Sequence, residues 1–279
     1  MTIRCDEFIK DYMRDRLRKL LLPIYKPSRS KLLLPYWRYL LMRPAIFELW
    51  FRGRLAWFWG TRGGLQSLSE QPQTFVEQVK TYNQSKIFEF FRIRTEKFMV
   101  LLRCIDGIPA DAKILCIGPR NEAEMLLLSL YGFPLRNVTG VDLFSYSPAI
   151  QCMDMHELKF PDGTFDIVYT AWTLKYSFDL PRACAEIVRV LKPGGVVVTG
   201  FSHTSTLTEE VGSPLTKGLD ELLQHFSPHV EWVYWKEVAP TGVDGVFEVS
   251  TIFRVQKSPP GPSSDRRVMV ERGPVQAES

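Results

Sequence analysis

The 279-residue sequence predicts an α/β protein, a doubly wound and mostly parallel sheet carried behind an α-helical N-terminal extension. Three observations predict it. From Lys113 onward, short β-rich runs bounded by glycine alternate with segments of helical length, the pattern of parallel strands joined by helical crossovers. Before residue 113 no strand is evident, and apolar residues recur at helical spacing instead. Charge is also divided: residues 1–64 hold 14 Lys and Arg against 5 Asp and Glu, the remainder 21 against 26, and four of the seven Trp (Trp37, Trp50, Trp57, Trp59) lie in the basic part. The expected organisation is a helical, basic and aromatic region over 1–110, an α/β domain over 111–257, and a disordered tail rich in Pro, Gly and Ser over 258–279.

In the extension, Ile9, Met13, Leu17, Leu20 and Leu21, with Arg14, Arg16, Arg18 and Lys19 between them, predict a short basic amphipathic helix that Pro23 stops. Pro27, Pro35 and Pro44 break the chain that follows. Ile46, Trp50, Gly53 and Trp57 then form one stripe of a second helix that ends before Gly60. Residues 72–104 read as one long or two broken helices closed by Gly107 and Pro109. In the α/β part, strands are expected at 113–118, 137–143, 165–171 and 194–200, with helices at 122–132 and 179–191. A helix around LTKGLDELLQHF follows, and HVEWVYWKEV and GVFEVSTIFRV are two long strands suited to an antiparallel edge pair.

Composition excludes several classes. Hydrophobic residues at 45% and charged residues at 24% are those of a globular chain with a sizeable core. No run of eighteen apolar residues occurs and MTIRCDEFIK has no apolar leader segment, so a cytoplasmic protein is expected. The five Cys are odd in number, widely spaced and without a CxxC pair, which argues for reduced thiols and against a structural zinc site; no metal is expected.

Ligands of such sheets bind at the carboxyl ends of the strands near the switch in strand order, which directs attention to Gly118–Arg120, Asp142, Asp154 and Thr170–Trp172. Asp142 closes a strand about twenty residues after the glycine turn, where a carboxylate can accept hydrogen bonds from a ribose diol; it would serve equally as a turn or capping Asp. GPRNEA does not satisfy G-x-G-x-x-G, which argues against a dinucleotide site.

ILCIGPRNEAE, VTGVDL, MDMHELKFPDGTFDIVYTAWTLKY and EIVRVLKPGGVVVTG, in this order and spacing, resemble the class I S-adenosylmethionine-dependent methyltransferases, nearest the small-molecule type related to ubiquinone and menaquinone methyltransferases. The resemblance covers about residues 111–202 and is most specific in PDGTFDIVYT and RVLKPGG. It implies a Rossmann-like seven-stranded sheet with an antiparallel last strand, and S-adenosylmethionine as cofactor. The family pattern puts Gly118 in the cofactor turn, Asp142 and Leu143 at the ribose, Asp154 and Met155 at the adenine, and Thr170 and Trp172 under the methionine part. The sequence departs from the pattern where an acidic residue and alternate glycines are usual, for those places hold Cys116, Gly118, Arg120 and Glu122. Either Glu122 or Glu124 would then supply the carboxylate for the cofactor's ammonium, or affinity for the cofactor would be reduced.

Methyl transfer needs alignment and exclusion of water, and a general base where the acceptor is a hydroxyl. His156, Tyr176 and His203 are the candidates, of which Tyr176 and His203 also read as packing or surface residues. The basic aromatic extension reads as a lid over the substrate cavity or as a segment lying on an anionic membrane; nucleic acid is disfavoured because the runs are too apolar and the α/β half is acidic. The expected function is methylation of a small-molecule, saccharide or lipid-linked acceptor, with peripheral membrane association open and the oligomeric state unspecified. The alternative is a noncatalytic nucleoside-binding or membrane-docked protein of the same fold.

Overall fold

The computed structural model describes residues 34–62, 66–67, 81, 85–87, 89–90, 92–147, 149–204, 218–241 and 245–256. The predicted helix over 9–21 and the tail from 258 lie outside them. The chain divides into two compact units, residues 1–56 and 57–279.

In the first unit, α1 (Leu34–Leu41) takes Pro35 in its first turn, where the missing N–H costs nothing. Pro44 likewise opens α2 (Pro44–Arg62), which runs through Gly60 rather than ending before it, its residues from Trp57 on belonging to the second unit. The buried side of α2 is Phe47, Phe51, Leu55 and Phe58, not the stripe through Ile46, which is 38% exposed. A helix apolar on most of its circumference has no periodicity from which to read its phase.

In the second unit, β1 (Gln66–Ser67) pairs antiparallel with β4 (Phe144–Ser145), a two-residue bridge too short for sequence periodicity to show. It corrects the expectation of no strand before residue 113. α3 (Arg92–Arg103) precedes the main sheet, which contains β2 (Ile114–Ile117), β3 (Val138–Asp142), β5 (Ile150–Cys152), β6 (Phe165–Tyr169), β7 (Leu191–Thr204), β8 (Val230–Pro240) and β9 (Val246–Val255). Their order is β5-β3-β2-β6-β7-β9-β8, with the first five parallel and β9 antiparallel to both β7 and β8. The strand order therefore reverses between β2 and β6.

Local chemistry explains the elements. β2 is buried along its whole length, as a central parallel strand should be. α4 (Ala123–Leu130) follows it and buries Ala123 and Met125–Leu128. α5 (Leu180–Val190) starts where Asp179 accepts the Arg182 N–H and Pro181 occupies the first turn, and its apolar side enters the main core with Leu115, Val168 and Val197. α6 (Leu219–Phe226) sends Phe226 against Phe253 of β9. α3 lies over the other face, with Phe98 edge-on to Tyr169 and Trp235, while Lys97 and Arg94 reach Glu237 and Glu248 on β8 and β9. Gly200 permits that approach, because a Cβ there would stand 3.3 Å from the Phe98 ring.

Candidate functional site

A cavity of the second unit opens beside the carboxyl ends of β2, β3 and β6, at the reversal of strand order, and holds about 1070 Å³ of empty space, mouth included. Its first wall is the turn after β2. Gly118, at φ +69, gives its N–H to Val141 O at 2.7 Å. The Thr173 hydroxyl donates to Ile117 O at 2.9 Å, and a Cβ on Gly118 would fall on that side chain, so this glycine serves both the turn and the packing of Thr173. Arg120 also holds positive φ, +37, which directs its N–H to Asp142 Oδ2 at 3.2 Å. Asn121 accepts the Ala123 N–H at the start of α4 and donates to Ile87 O and Glu89 O, tying those two residues to the turn.

Asp142 ends β3 with Oδ1 accepting the Leu143 N–H at 2.7 Å. Burial nevertheless pushes its carboxyl up to about 7, against the lowering effect of those backbone donors and of Arg120. Glu124, in the first turn of α4, also lines the cavity and is pushed up to about 7 by burial, with Arg94 and Arg120 pulling it down and Asp142 adding to the rise. Glu122 is placed otherwise. It is 2% exposed, is not among the lining residues, accepts the Ser147 hydroxyl through Oε1 and gives its backbone N–H to the Tyr146 hydroxyl at 3.0 Å.

After β5 come Met153, Asp154, Met155 and His156, all on the cavity wall. Asp154 Oδ1 accepts the His156 backbone N–H at 2.9 Å and meets its Nδ1 at 2.6 Å; His156 Nε2 stands 2.7 Å from Ser177 Oγ. With Nδ1–H given to the carboxylate, Nε2 accepts the Ser177 hydroxyl, so both ring nitrogens are engaged. The imidazole lies against Phe178 with centroids 3.8 Å apart. It orients Asp154, and its Nε2 is occupied by the Ser177 hydroxyl.

The third wall follows β6. Trp172 holds φ +68, lies under the Arg94 guanidinium at 3.4 Å and lines the cavity; its Nε1 is buried and has no hydrogen-bond partner among the described residues. Thr170 is fully buried and is not on the wall, because its N–H pairs with Val198 O and continues the sheet; Thr173 stands on the wall in its place. Tyr176 lines the cavity. His203 lies on β7 opposite Phe247, with its side chain outside the described residues.

Of the residues singled out in the sequence, Gly118, Glu124, Asp142, Leu143, Asp154, Met155, Trp172 and Tyr176 thus converge on one cavity, and Glu122 and Thr170 do not. Glu89, Phe90, Arg94, Thr95 and Asn121 are among the lining residues that were not anticipated. Only the last had a local signal, an Asn immediately before a helix start. Cys116 is buried in β2 with its thiol pushed up by burial and by Glu124, and among the described residues no group of His, Cys, Asp and Glu could hold a metal ion.

A doubly wound sheet with a cavity at its switch point has the architecture in which such sheets bind ligands. Residues 115–199 match the family model described as "Methyltransferase domain". Relatives include malonyl-[acyl-carrier protein] O-methyltransferase of Halorhodospira halophila, 36% identical over 93 residues, which are 33% of this chain and 32% of that protein. 2-Methyl-6-phytyl-1,4-hydroquinone methyltransferase of Synechocystis is 28% identical over 52% of this chain and 46% of its own length. The mitochondrial arginine-hydroxylase NDUFAF5 of Rattus norvegicus is 40% identical over 28% of this chain and 22% of its own length. The chain spans less than half the length of each of these relatives.

Proposed function

We propose that the protein binds S-adenosylmethionine in this switch-point cavity and transfers its methyl group to a small-molecule acceptor, with a lipid-soluble ring compound the favoured class. The observation that carries this reading is the pair of carboxylates, Asp142 and Glu124, on the wall of a switch-point cavity whose strands fall within the methyltransferase-domain match. Support for the acceptor class comes from a relative named for a phytyl hydroquinone.

The residues present suit the cofactor. Asp142, already oriented by two backbone donors, would accept from a ribose diol. Leu143, Met153 and Met155 offer apolar wall for an adenine, with Asp154 fixed beside them by His156. Glu124 would meet an ammonium. When bound, S-adenosylmethionine supplies a methyl group already activated on a sulfonium. The chain's own task is then to align the acceptor and keep water out, for which Phe90, Tyr176 and Phe178 supply apolar wall. Tyr176 is the side chain on that wall able to hold an acceptor hydroxyl.

Calorimetric titration with S-adenosylhomocysteine tests the reading. Binding is expected, and Asp142→Ala should weaken it by about 1.5–3 kcal/mol through the lost charge-assisted bond. Unchanged affinity in the variant would move the diol elsewhere, and no binding by the wild type would remove the cofactor assignment.

A further inference from the structure

Helix α2 is apolar on two opposite sides within the first unit. Phe47, Phe51 and Leu55 are buried on one side, while at about 100° per residue the other carries Ile46, Leu49, Gly53 and Ala56, all uncharged and exposed, Leu49 to 76%. α1 and the turn after it add Tyr39, Leu40 and Met42. Five of the eleven large apolar side chains that are exposed among the described residues therefore fall between residues 39 and 49. Single exposed apolar residues are ordinary, but such a concentration marks a surface that meets something.

Its charge has one sign. Residues 38–56 contain Arg38, Arg43, Arg52 and Arg54 against Glu48 alone, and Glu48 is already bonded to Arg52 at 2.7 Å. The partner must offer apolar contact and negative charge together. A second copy of the same face offers the first and repels through the second. No described helix is long and apolar enough to cross a membrane, and the arginines in the second half of α2 suit a helix lying in an interface.

We infer that the exposed face of residues 38–56 docks on an anionic lipid surface, with Leu49 and Ile46 entering the acyl boundary and the arginines at the phosphates. The inference concerns the first unit and holds independently of the reaction in the second.

Cosedimentation of the full chain with vesicles tests it, using phosphatidylcholine alone and phosphatidylcholine mixed with phosphatidylglycerol. Binding should favour the anionic vesicles and weaken as salt rises. Leu49→Glu should lower it about tenfold, Arg43→Gln about fivefold, and Leu49→Phe should retain it. Both residues are exposed, so circular dichroism and S-adenosylhomocysteine affinity should match the wild type in every variant. Equal binding to both vesicle types, binding to neither, or unchanged binding in Leu49→Glu and Arg43→Gln would overturn the inference. So would a Leu49-dependent dimer that ignores vesicles, which would assign the face to a second copy.

Discussion

Glu122 and Glu124 show how far a residue's task depends on its phase. They read alike in the sequence, two carboxylates at a helix start where the dipole favours either. Two residues along a helix are about 200° apart, so when one enters the cavity the other must turn away. Glu124 enters, and Glu122 turns to Ser147 and the Tyr146 hydroxyl. Glu124→Gln should therefore lower S-adenosylhomocysteine affinity roughly tenfold, in keeping with a charge-assisted bond to the ammonium. Glu122→Gln should leave affinity within about twofold of wild type while lowering thermal stability, since it disturbs a buried hydrogen bond. Because the Glu124 carboxyl is pushed up to about 7 by burial, the wild-type affinity should also rise with pH through neutrality, whereas Glu124→Gln loses that part of the dependence. Titration of the three proteins at about pH 6 and 8 checks this, and a larger loss in Glu122→Gln would reverse the assignment.

At the scale of elements, the most specific part of the resemblance serves architecture. PDGTFD and RVLKPGG meet at the amino end of β6, away from the cavity. Arg189 donates to Leu158 O, Phe160 O, Asp162 and Glu186, while Glu186 accepts the Leu158 N–H and Gly163 donates to Arg189 O. Lys192 and the Lys113 N–H share Asp166 across the neighbouring strands. Hydrogen bonding to Arg189 holds the Glu186 carboxyl below its usual range. Arg189→Met should cost about 2 kcal/mol of folding stability, seen as a lower denaturation midpoint, with S-adenosylhomocysteine affinity unchanged. An affinity loss at equal stability would place this clasp in the binding machinery after all. The same reasoning explains what was legible. Strands with long β-branched runs, such as Val196–Val198, and a helix with a clear cap, such as α5, announce themselves. β5 does not, because Ile150–Cys152 is three residues with a polar centre and owes its place to pairing with β3. The cavity's strand-end residues follow from topology, whereas Arg94 and Thr95 reach it only because α3 packs over the sheet, a long-range contact without a local signature.

At the scale of the whole molecule, the two cavity carboxylates set a pH dependence of folding opposite in sign to ordinary acid denaturation. Burial raises both Asp142 and Glu124 to about 7, while in the unfolded chain they titrate near their ordinary values, about 4. Between about pH 4 and 7 the folded protein thus binds more protons than the unfolded chain, so their contribution to stability is full below that window and is lost as pH rises through it. Both side chains lie on an open cavity, Asp142 adds to the shift of Glu124, and solvent reduces the effect, which leaves about 1–2 kcal/mol for the pair. Thermal denaturation should show a midpoint falling from about pH 5 to 7.5. Glu124→Gln should flatten the fall and raise the midpoint at neutral pH, because it removes a charge from a buried position without removing a backbone partner. Asp142→Asn should gain less, since an amide keeps one acceptor oxygen where the carboxylate satisfies the N–H groups of both Arg120 and Leu143. S-adenosylhomocysteine should restore more stability above pH 7 than below it, because its ammonium and diol meet carboxylates that are then ionised. A midpoint equally steep in pH for wild type and Glu124→Gln would mean that the carboxylate is solvated in the folded protein, and that this cavity does not hold charge in reserve for a cationic ligand.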